Sequence, residues 1–360
     1  MFSSTGLGFG RVAAPLLGID ISASSVKLVE LGRGRRDGFV LERCALEPLD
    51  SGCINEGNVD NFDAVADAMR HVVRRSGTRT RQVALALPAS AVITKKIALP
   101  AGLSPSALEA QVQAEASQYI PFSLDEVSLD FCLMGPSGDS QTEVDVLIAA
   151  SRKEKVQDRQ GLAEAAGLRP VILDIESYAS RRAASRLIDS LPGEGSHPMV
   201  ALLEVGAFST GMQVLHGGAV VYDRDQAFGG AQLTQQIART YGYAPDEAER
   251  RKRRGDLPDD AGAAVIQPFV ASLAQEIARA LQFFFTSTPH HRVDAVLLAG
   301  GSAGLPGLPQ AVARLTSFPC SLVNPFEGMG TASALTPEKL RSQAPSYLTA
   351  CGLAMRRFLS

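Results

Sequence analysis

LLGIDISASSVKLVEL, residues Leu16–Leu31, decides the fold. A short apolar run ends at Asp20. Small residues turn the chain through Ser22, Ala23, Ser24 and Ser25, and Val26-Lys27-Leu28-Val29 resumes a strand. The pattern predicts a β-hairpin whose tip suits an anion. Small side chains let backbone N–H groups approach phosphate oxygens, and Lys27 adds positive charge. Asp20, at the strand end, is a carboxylate of the kind that holds a hydrated Mg²⁺. Alone, such a hairpin is more often purely structural, so its meaning depends on the rest of the chain.

Outward from this hairpin, the turn Arg33–Gly38 reverses the chain into a third strand, Phe39–Leu46. Phe62, Val65, Ala66, Met69 and Val73 recur at helical spacing over Phe62–Ser76, and Val83–Leu87 is a short buried strand closed by Pro88. Val92–Ala98 is the next strand. Ser104-Pro105 then starts a helix that puts Leu108, Val112 and Ala116 on one face. Val127–Leu133 and Val144–Ala150 flank a turn at Gly135–Gly138, so a β-α-β-β unit is inserted here. A helix over Lys153–Ala166 ends at Gly167, and Val171–Ile175 returns to the first sheet.

The second half opens like the first. Met199–Val205, Gly211–His216 and Ala219–Arg224 read as strands with Gly217-Gly218 as a hairpin turn. Helices follow over Gln232–Tyr241, Pro245–Arg254 and Ala261–Thr286, and Val293–Ala299 is an apolar strand entering Gly300-Gly301. The repeated order of elements predicts an internal duplication of an α/β domain. At 360 residues the chain exceeds the size at which one core keeps growing, which also favours two domains.

Composition narrows the function. A hydrophobic share of 45% and a charged share of 20% describe an ordinary globular protein, and a net charge of −3 gives no reason to expect nucleic acid. The five cysteines are scattered without a CxxC pair, which fits reduced thiols rather than a disulfide framework or zinc site. No apolar run approaches the ~20 residues that span a bilayer. The opening MFSSTGLGFGRVAAP lacks the pattern of a signal peptide. A cytoplasmic protein that meets membranes only through a partner is the expectation.

Two more loops share the character of the first. LLEVGAFSTGMQV, Leu202–Val214, ends an apolar strand on Glu204 and turns through Gly206 before Thr210 re-enters a strand. LLAGGSAGLPGL, Leu297–Leu308, places Gly300, Gly301 and Ser302 after a buried strand, where the backbone can approach a ligand closely. Three such loops at strand ends point to a phosphate-bearing ligand held between two domains.

The three loops resemble the phosphate 1, phosphate 2 and adenosine motifs of the actin-like ATPase superfamily, a duplicated ribonuclease H-like α/β fold. The insertion at about Ala89–Leu168 resembles the 1C (SHS2-like) subdomain of FtsA-like members. IDISASSVKLVEL, VALALPAS, ITKKIALP, YIPFSLDEVSLDF, DIESYASRRA, FGGAQLTQQIA and AERRK are similar to the PilM family of type IV pilus assembly proteins. No GxxxxGK[ST] motif appears, so a P-loop enzyme is excluded.

The resemblance implies 12–88 and 169–198 as a first domain (1A) and 89–168 as the insertion. It implies 199–345 as the second domain (2A, with 2B at about 229–290) and 346–360 as a C-terminal helix packing back on the first.

It further implies ATP and Mg²⁺ as ligands. Asp20 would act on the metal through water and Lys27 on phosphate, while Ser22, Ala23, Ser24 and Ser25 lend backbone amides. Gly206 and Thr210 match the second loop, and Gly300, Gly301 and Ser302 the adenosine loop. Glu249 and Lys252 would reach ribose and base, and Gly229-Gly230 would open subdomain 2B. One departure is Glu204, where the family's usual acid is Asp; it too would act on the metal, displaced by a methylene. A shift of ~1 Å can cost ~10²-fold in rate, so binding is expected with at most slow hydrolysis. Glu176, with Asp174 as its competitor, would orient attacking water or brace the domain hinge.

The implied role is a nucleotide-gated adaptor. Its partner would be the cytoplasmic tail of PilN, with PilO and PilP beyond it, pilus motor ATPases nearby and self-association open. An FtsA-like filament-forming division protein and a small-molecule kinase are the alternatives; for the kinase, no base sharper than Asp174 or Glu176 presents itself.

Three other features read blandly. Arg250–Arg254 is a solvated helical face, and Phe283-Phe284-Phe285 is core. Tyr347–Leu359 has neither the linker nor the basic face of a membrane anchor and should pack back on the first domain.

Overall fold

A computed structural model describes residues 14–34, 38–138, 140, 142–191, 197–332 and 337–358. The opening segment through Ala13, the centre of the Arg33–Gly38 turn and the last two residues lie outside the described residues. β1 (Leu17–Ser22), β2 (Ser25–Arg33) and β3 (Phe39–Pro48) form an antiparallel meander. A small hairpin, β4 (Ile54–Asn55) with β5 (Asn58–Val59), precedes α1 (Phe62–Ser76). The Asn61 side chain accepts the Ala64 N–H to cap α1, and Gly77, at φ 65°, ends it. β6 (Gln82–Leu87) then runs parallel to β1.

The insertion follows as β7 (Val92–Pro100), α2 (Pro105–Tyr119), β8 (Val127–Pro136) and β9 (Glu143–Arg152), its sheet ordered β7-β9-β8. Ser104 caps α2, and Val112 and Ala116 bury the helix against Ile97, Val146 and Ile148, giving the insertion its own core. α3 (Lys153–Ala165), β10 (Arg169–Ile175) and α4 (Glu176–Ile188) return the chain to the first sheet and across it.

The second domain repeats the plan. β11 (Met199–Val205), β12 (Thr210–His216) and β13 (Ala219–Gln226) form the meander, turned at Gly217 and Gly218, both at positive φ. α5 (Gly230–Tyr241), α6 (Pro245–Arg254) and α7 (Gln267–Ser287) lead to β14 (Ala295–Ala299), α8 (Leu308–Thr316) and β15 (Cys320–Leu322). The sheets read β3-β2-β1-β6-β10 and β13-β12-β11-β14-β15, the same meander followed by two parallel strands. The duplication is thus one of topology.

The chain then recrosses: β16 (Gly330–Thr331) pairs with β3, α9 (Pro337–Gln343) follows, and α10 (Leu348–Met355) lies entirely buried on the first domain. The layers explain the burial. α1 and α3 cover one face of the first sheet, and α4 and α10 cover the other. The outer surface of that second helix pair meets Val200, Leu202 and Leu297 of the second sheet, whose far face packs on α5, α7 and α8. β2 is therefore buried along nearly its whole length, as a strand covered on both faces must be.

Two expectations need correction. The helix expected over Ala261–Thr286 opens instead with a π-helical stretch at Gly262–Ile266, and α7 proper begins at Gln267 with Pro268 in its first turn. Of the three phenylalanines expected in the core, only Phe284 is fully buried. A helix cannot turn three successive residues inward, so Phe283 is 48% exposed beneath the Arg224 guanidinium.

Candidate functional site

A cleft of about 1970 Å³ opens between the domains, extending toward the insertion. Its first-domain floor is the β1–β2 hairpin. Asp20 and Lys27 are direct cross-strand partners, which places both side chains on one face. Lys27 Nζ donates to Asp20 Oδ2 at 2.8 Å and to Ser22 Oγ at 2.9 Å, with both charged side chains buried. Ser22 Oγ in turn donates to the Ser25 carbonyl at 2.9 Å. The tip Ser22–Ser25 borders the cleft.

The opposite wall is laced around one carbonyl. The Gly230 N–H and Ser302 Oγ both donate to the Gly206 carbonyl, at 3.0 and 3.1 Å, and the Ser302 N–H donates to Val205 O. This ties the second loop, the third loop and the N-terminus of α5 together. Gly300, at φ 92°, would place a Cβ 2.5 Å from Val205 O, so only glycine fits there; Gly301 faces open space. Of the expected residues in these loops, Gly206, Gly230, Gly300, Gly301 and Ser302 border the cleft. Thr210 and Gly229 do not. Thr210 Oγ1 donates to Phe228 O at 2.6 Å, and a Cβ on Gly229 would meet Ala207 O at 2.6 Å, so both hold the loop's shape.

α6 supplies the third side. Lys252 reaches Glu249 at 2.6 Å and donates to Gly230 O and to Thr234 Oγ1. Arg253 pairs with Glu249 at 2.7 Å and its Nη2 donates across the cleft to the Ser24 carbonyl at 3.1 Å. The basic run expected to be a solvated face is therefore split. Lys252 and Arg253 turn inward because three- and four-residue spacings bring them over Glu249 and the α5 N-terminus. Burial works to raise Glu249, but Lys252, Thr234 and Arg253 outweigh it and hold the carboxyl below its ordinary range.

Two carboxyls at the base shift the other way from Glu249. Glu176 opens α4 and is pushed up to about 8, first by burial and then by the Asp20 charge, with Arg159 opposing. Glu204 is pushed up to about 7 by burial, with Ser180 hydrogen bonding working against it and Asp20 adding to it. Thr349 of α10 donates to Glu204 Oε2 at 3.5 Å and shares a 2.9 Å hydrogen bond with Ser180. Asp174 does not border the cleft; it lies 3.1 Å from Arg356 Nε. Of the two acids weighed for orienting water, only Glu176 faces the cavity.

Sequence reasoning passed over Arg159, Arg253 and the Ser180–Thr349 pair. Arg253 had a signal, since it lies four residues after Glu249; the others meet the site only through tertiary packing.

The donor set fits a nucleotide. Gly206, Gly230, Gly300 and Gly301 line it, and the buried Asp20 and Lys27 face the same cavity as Glu176 and Glu204. The duplicated domains, the cleft between them and the inserted three-stranded subdomain define a protein of the actin-like ATPase fold. The chain belongs to the type IV pilus assembly protein PilM family, whose model matches residues 18–358. Among solved structures it is similar to a PilM–PilN type IV pilus biogenesis complex, at 31% identity and TM-score 0.77 over 98% of this chain and 100% of that one. Two more distant likenesses carry the fold alone. The ethanolamine utilization protein EutJ from Carboxydothermus hydrogenoformans matches at 16% identity and TM-score 0.56, covering 94% of this chain and 88% of that one. A diol dehydratase-reactivating factor in nucleotide-free form matches at 12% and 0.52, covering 95% and 99%. Among the described residues, no helix is long and apolar enough to cross a membrane.

Proposed function

We propose that the cleft binds ATP with Mg²⁺, and that the chain is a nucleotide-gated adaptor of type IV pilus assembly that holds the cytoplasmic tail of a PilN-like inner-membrane protein. The observation that carries the nucleotide is the convergence of the Asp20–Lys27 pair, both phosphate loops and the Gly300–Ser302 loop on one interdomain cavity. Lys27 and the Ser22–Ser25 backbone would take phosphate oxygens, Asp20 and Glu204 the metal's water shell, and Glu249 with Lys252 the ribose and base. A bound triphosphate with its metal supplies concentrated charge that both domains can contact at once, which favours the closed arrangement. Hydrolysis is slow on this reading, because Glu204 reaches one methylene further than the aspartate usual at this position. Turnover of several per second would contradict that.

The adaptor role is supported by the 31% identity to a chain solved in a complex with PilN. Two strand edges also border one region. β10 ends the first sheet and β8 ends the inserted one, while Arg356 pairs with Asp174 on β10 and its charge acts on Cys132 of β8. Val171 on β10 and Leu133 and Met134 on β8 are exposed there. An extended peptide can add to such an edge through main-chain hydrogen bonds while apolar side chains take its alternate residues. PilO- and PilP-type proteins and the motor ATPases would be reached through this partner, placing the chain at the inner membrane from the cytoplasmic side.

Titration calorimetry tests the nucleotide. Wild type should bind Mg²⁺–ATP, and Asp20→Ala should bind it at least about tenfold more weakly, the effect of removing a charged contact. Unchanged affinity in the variant would count against the assignment.

A further inference from the structure

Arg253 is held at two points. Its Nε donates to Glu249 Oε1 at 2.7 Å, one turn back on α6, and its Nη2 donates to the Ser24 carbonyl at 3.1 Å on the other wall. Among the described residues, the bond to Ser24 is the one hydrogen bond or ion pair that ties α5, α6 or α7 to the first domain. Other bonds between the domains, such as Gly300 N–H to Pro345 O and Ala332 N–H to Leu41 O, come from the segments by which the chain recrosses.

The two contacts are built to break separately. The Arg253 side chain is 29% exposed, so a fork leaving Ser24 meets water. The Ser24 carbonyl also accepts the Leu49 N–H at 2.9 Å and keeps that partner when Arg253 leaves. Glu249 meanwhile holds the guanidinium on α6. Opening therefore strands no buried polar group, the situation in which losing a hydrogen bond costs least.

Position gives the contact its meaning. On the nucleotide reading of the cleft, on which this inference rests, Glu249 and Lys252 take ribose and base while the Ser22–Ser25 tip takes phosphate. A bond from α6 to Ser24 thus runs from one end of the ligand's site to the other. A ligand gripped by both walls enters or leaves only when they part, and parting α6 from the hairpin breaks the bond between Arg253 and Ser24.

We propose that Arg253 is a strap across the cleft that must release Ser24 each time a nucleotide enters or leaves, and so sets the rate of exchange rather than the affinity. Both ends of the strap are protein groups, so it closes without the ligand and slows entry and exit alike.

The test is stopped-flow fluorescence with Mg²⁺ and an ATP carrying a fluorescent ribose label, on wild type, Arg253→Met and Arg253→Lys. Excess unlabelled ATP gives the exit rate, calorimetry with unlabelled Mg²⁺–ATP gives the affinity, and thermal unfolding without nucleotide reports the fold. Arg253→Met should raise the association and dissociation rate constants together by about 3- to 30-fold, the effect of losing one charge-assisted hydrogen bond, while affinity changes less than about threefold. Arg253→Lys, with one nitrogen in place of the fork, should fall between. Melting temperatures should stay within about 3 °C of wild type, as for a partly exposed ion pair. A rise in the dissociation rate alone would make Arg253 an ordinary ligand contact, and unchanged rates would show that it does not control exchange. Either result overturns the inference while the cleft reading stands. A large drop in melting temperature in both variants would make Arg253 a structural residue and overturn the inference too. If wild type binds neither labelled nor unlabelled ATP, the reading of the cleft itself fails, and the strap with it.

Discussion

Asp20 and Lys27 could be read from the sequence because they lie seven residues apart in one hairpin, and antiparallel register alone makes them face. Glu176 shows where that reading ends. DIESY puts it ahead of Asp174 only as one candidate before its competitor, and the fold turns one toward the cavity and the other toward Arg356. Arg159 could not be found at all, since it meets the cleft only through tertiary packing. Glu176 also makes the protein pH-sensitive. Its folded pKa of about 8 lies above the 4.5 of the free carboxyl, so the fold binds an extra proton between these values. Stability conferred by that proton is complete below about 4.5 and is lost as pH rises through about 8. Glu176→Gln mimics the protonated acid. It should match wild type in denaturant melts at pH ~4 and exceed it by several kcal/mol, up to about 5, at pH ~8.5. Equal curves for both proteins at the higher pH would contradict the burial account.

The meander, the inserted β-α-β-β unit and the glycine-ended helices were legible because each is a local pattern of alternation, caps and turns. β16, α9 and the π-helical start of α7 were not, since short or irregular segments owe their form to what they pack against. α10 lies between these cases. Its small apolar run suggested burial, but its closeness to the first domain is visible only in contact. Gly352 meets α4 so tightly that an added Cβ would lie 1.8 Å from the Ala179 carbonyl, and Gly18 of β1 similarly faces Ala350. In an isolated helix, Gly→Ala gains about 1 kcal/mol. Here overpacking against backbone costs about 1–3 kcal/mol or more and wins. Gly352→Ala should therefore destabilise the protein by about 2 kcal/mol net in denaturant unfolding, and a stabilised variant would show that α10 is free to shift.

At the scale of the molecule, two similar domains are joined by chain crossings and by α10, and they face each other across one cleft. Arg253 already bridges it to the Ser24 carbonyl, the same hairpin tip that the proposed nucleotide would engage. Nucleotide binding therefore bears on the same contacts that set the separation of the domains. The inserted subdomain, packed beside α3, borders both that cleft and the β8–β10 region. Coupling between two sites is reciprocal: if ATP changes the affinity for a partner tail, the tail changes the affinity for ATP by the same factor. The most direct test is fluorescence anisotropy of a labelled peptide of a PilN-like cytoplasmic tail, titrated with the full chain without nucleotide, with Mg²⁺–ADP and with Mg²⁺–ATP. The account expects binding that Met134→Asp abolishes and whose affinity differs by at least about fivefold between the ATP-bound and nucleotide-free protein. Absence of binding in every condition, or one affinity in all three, would contradict it.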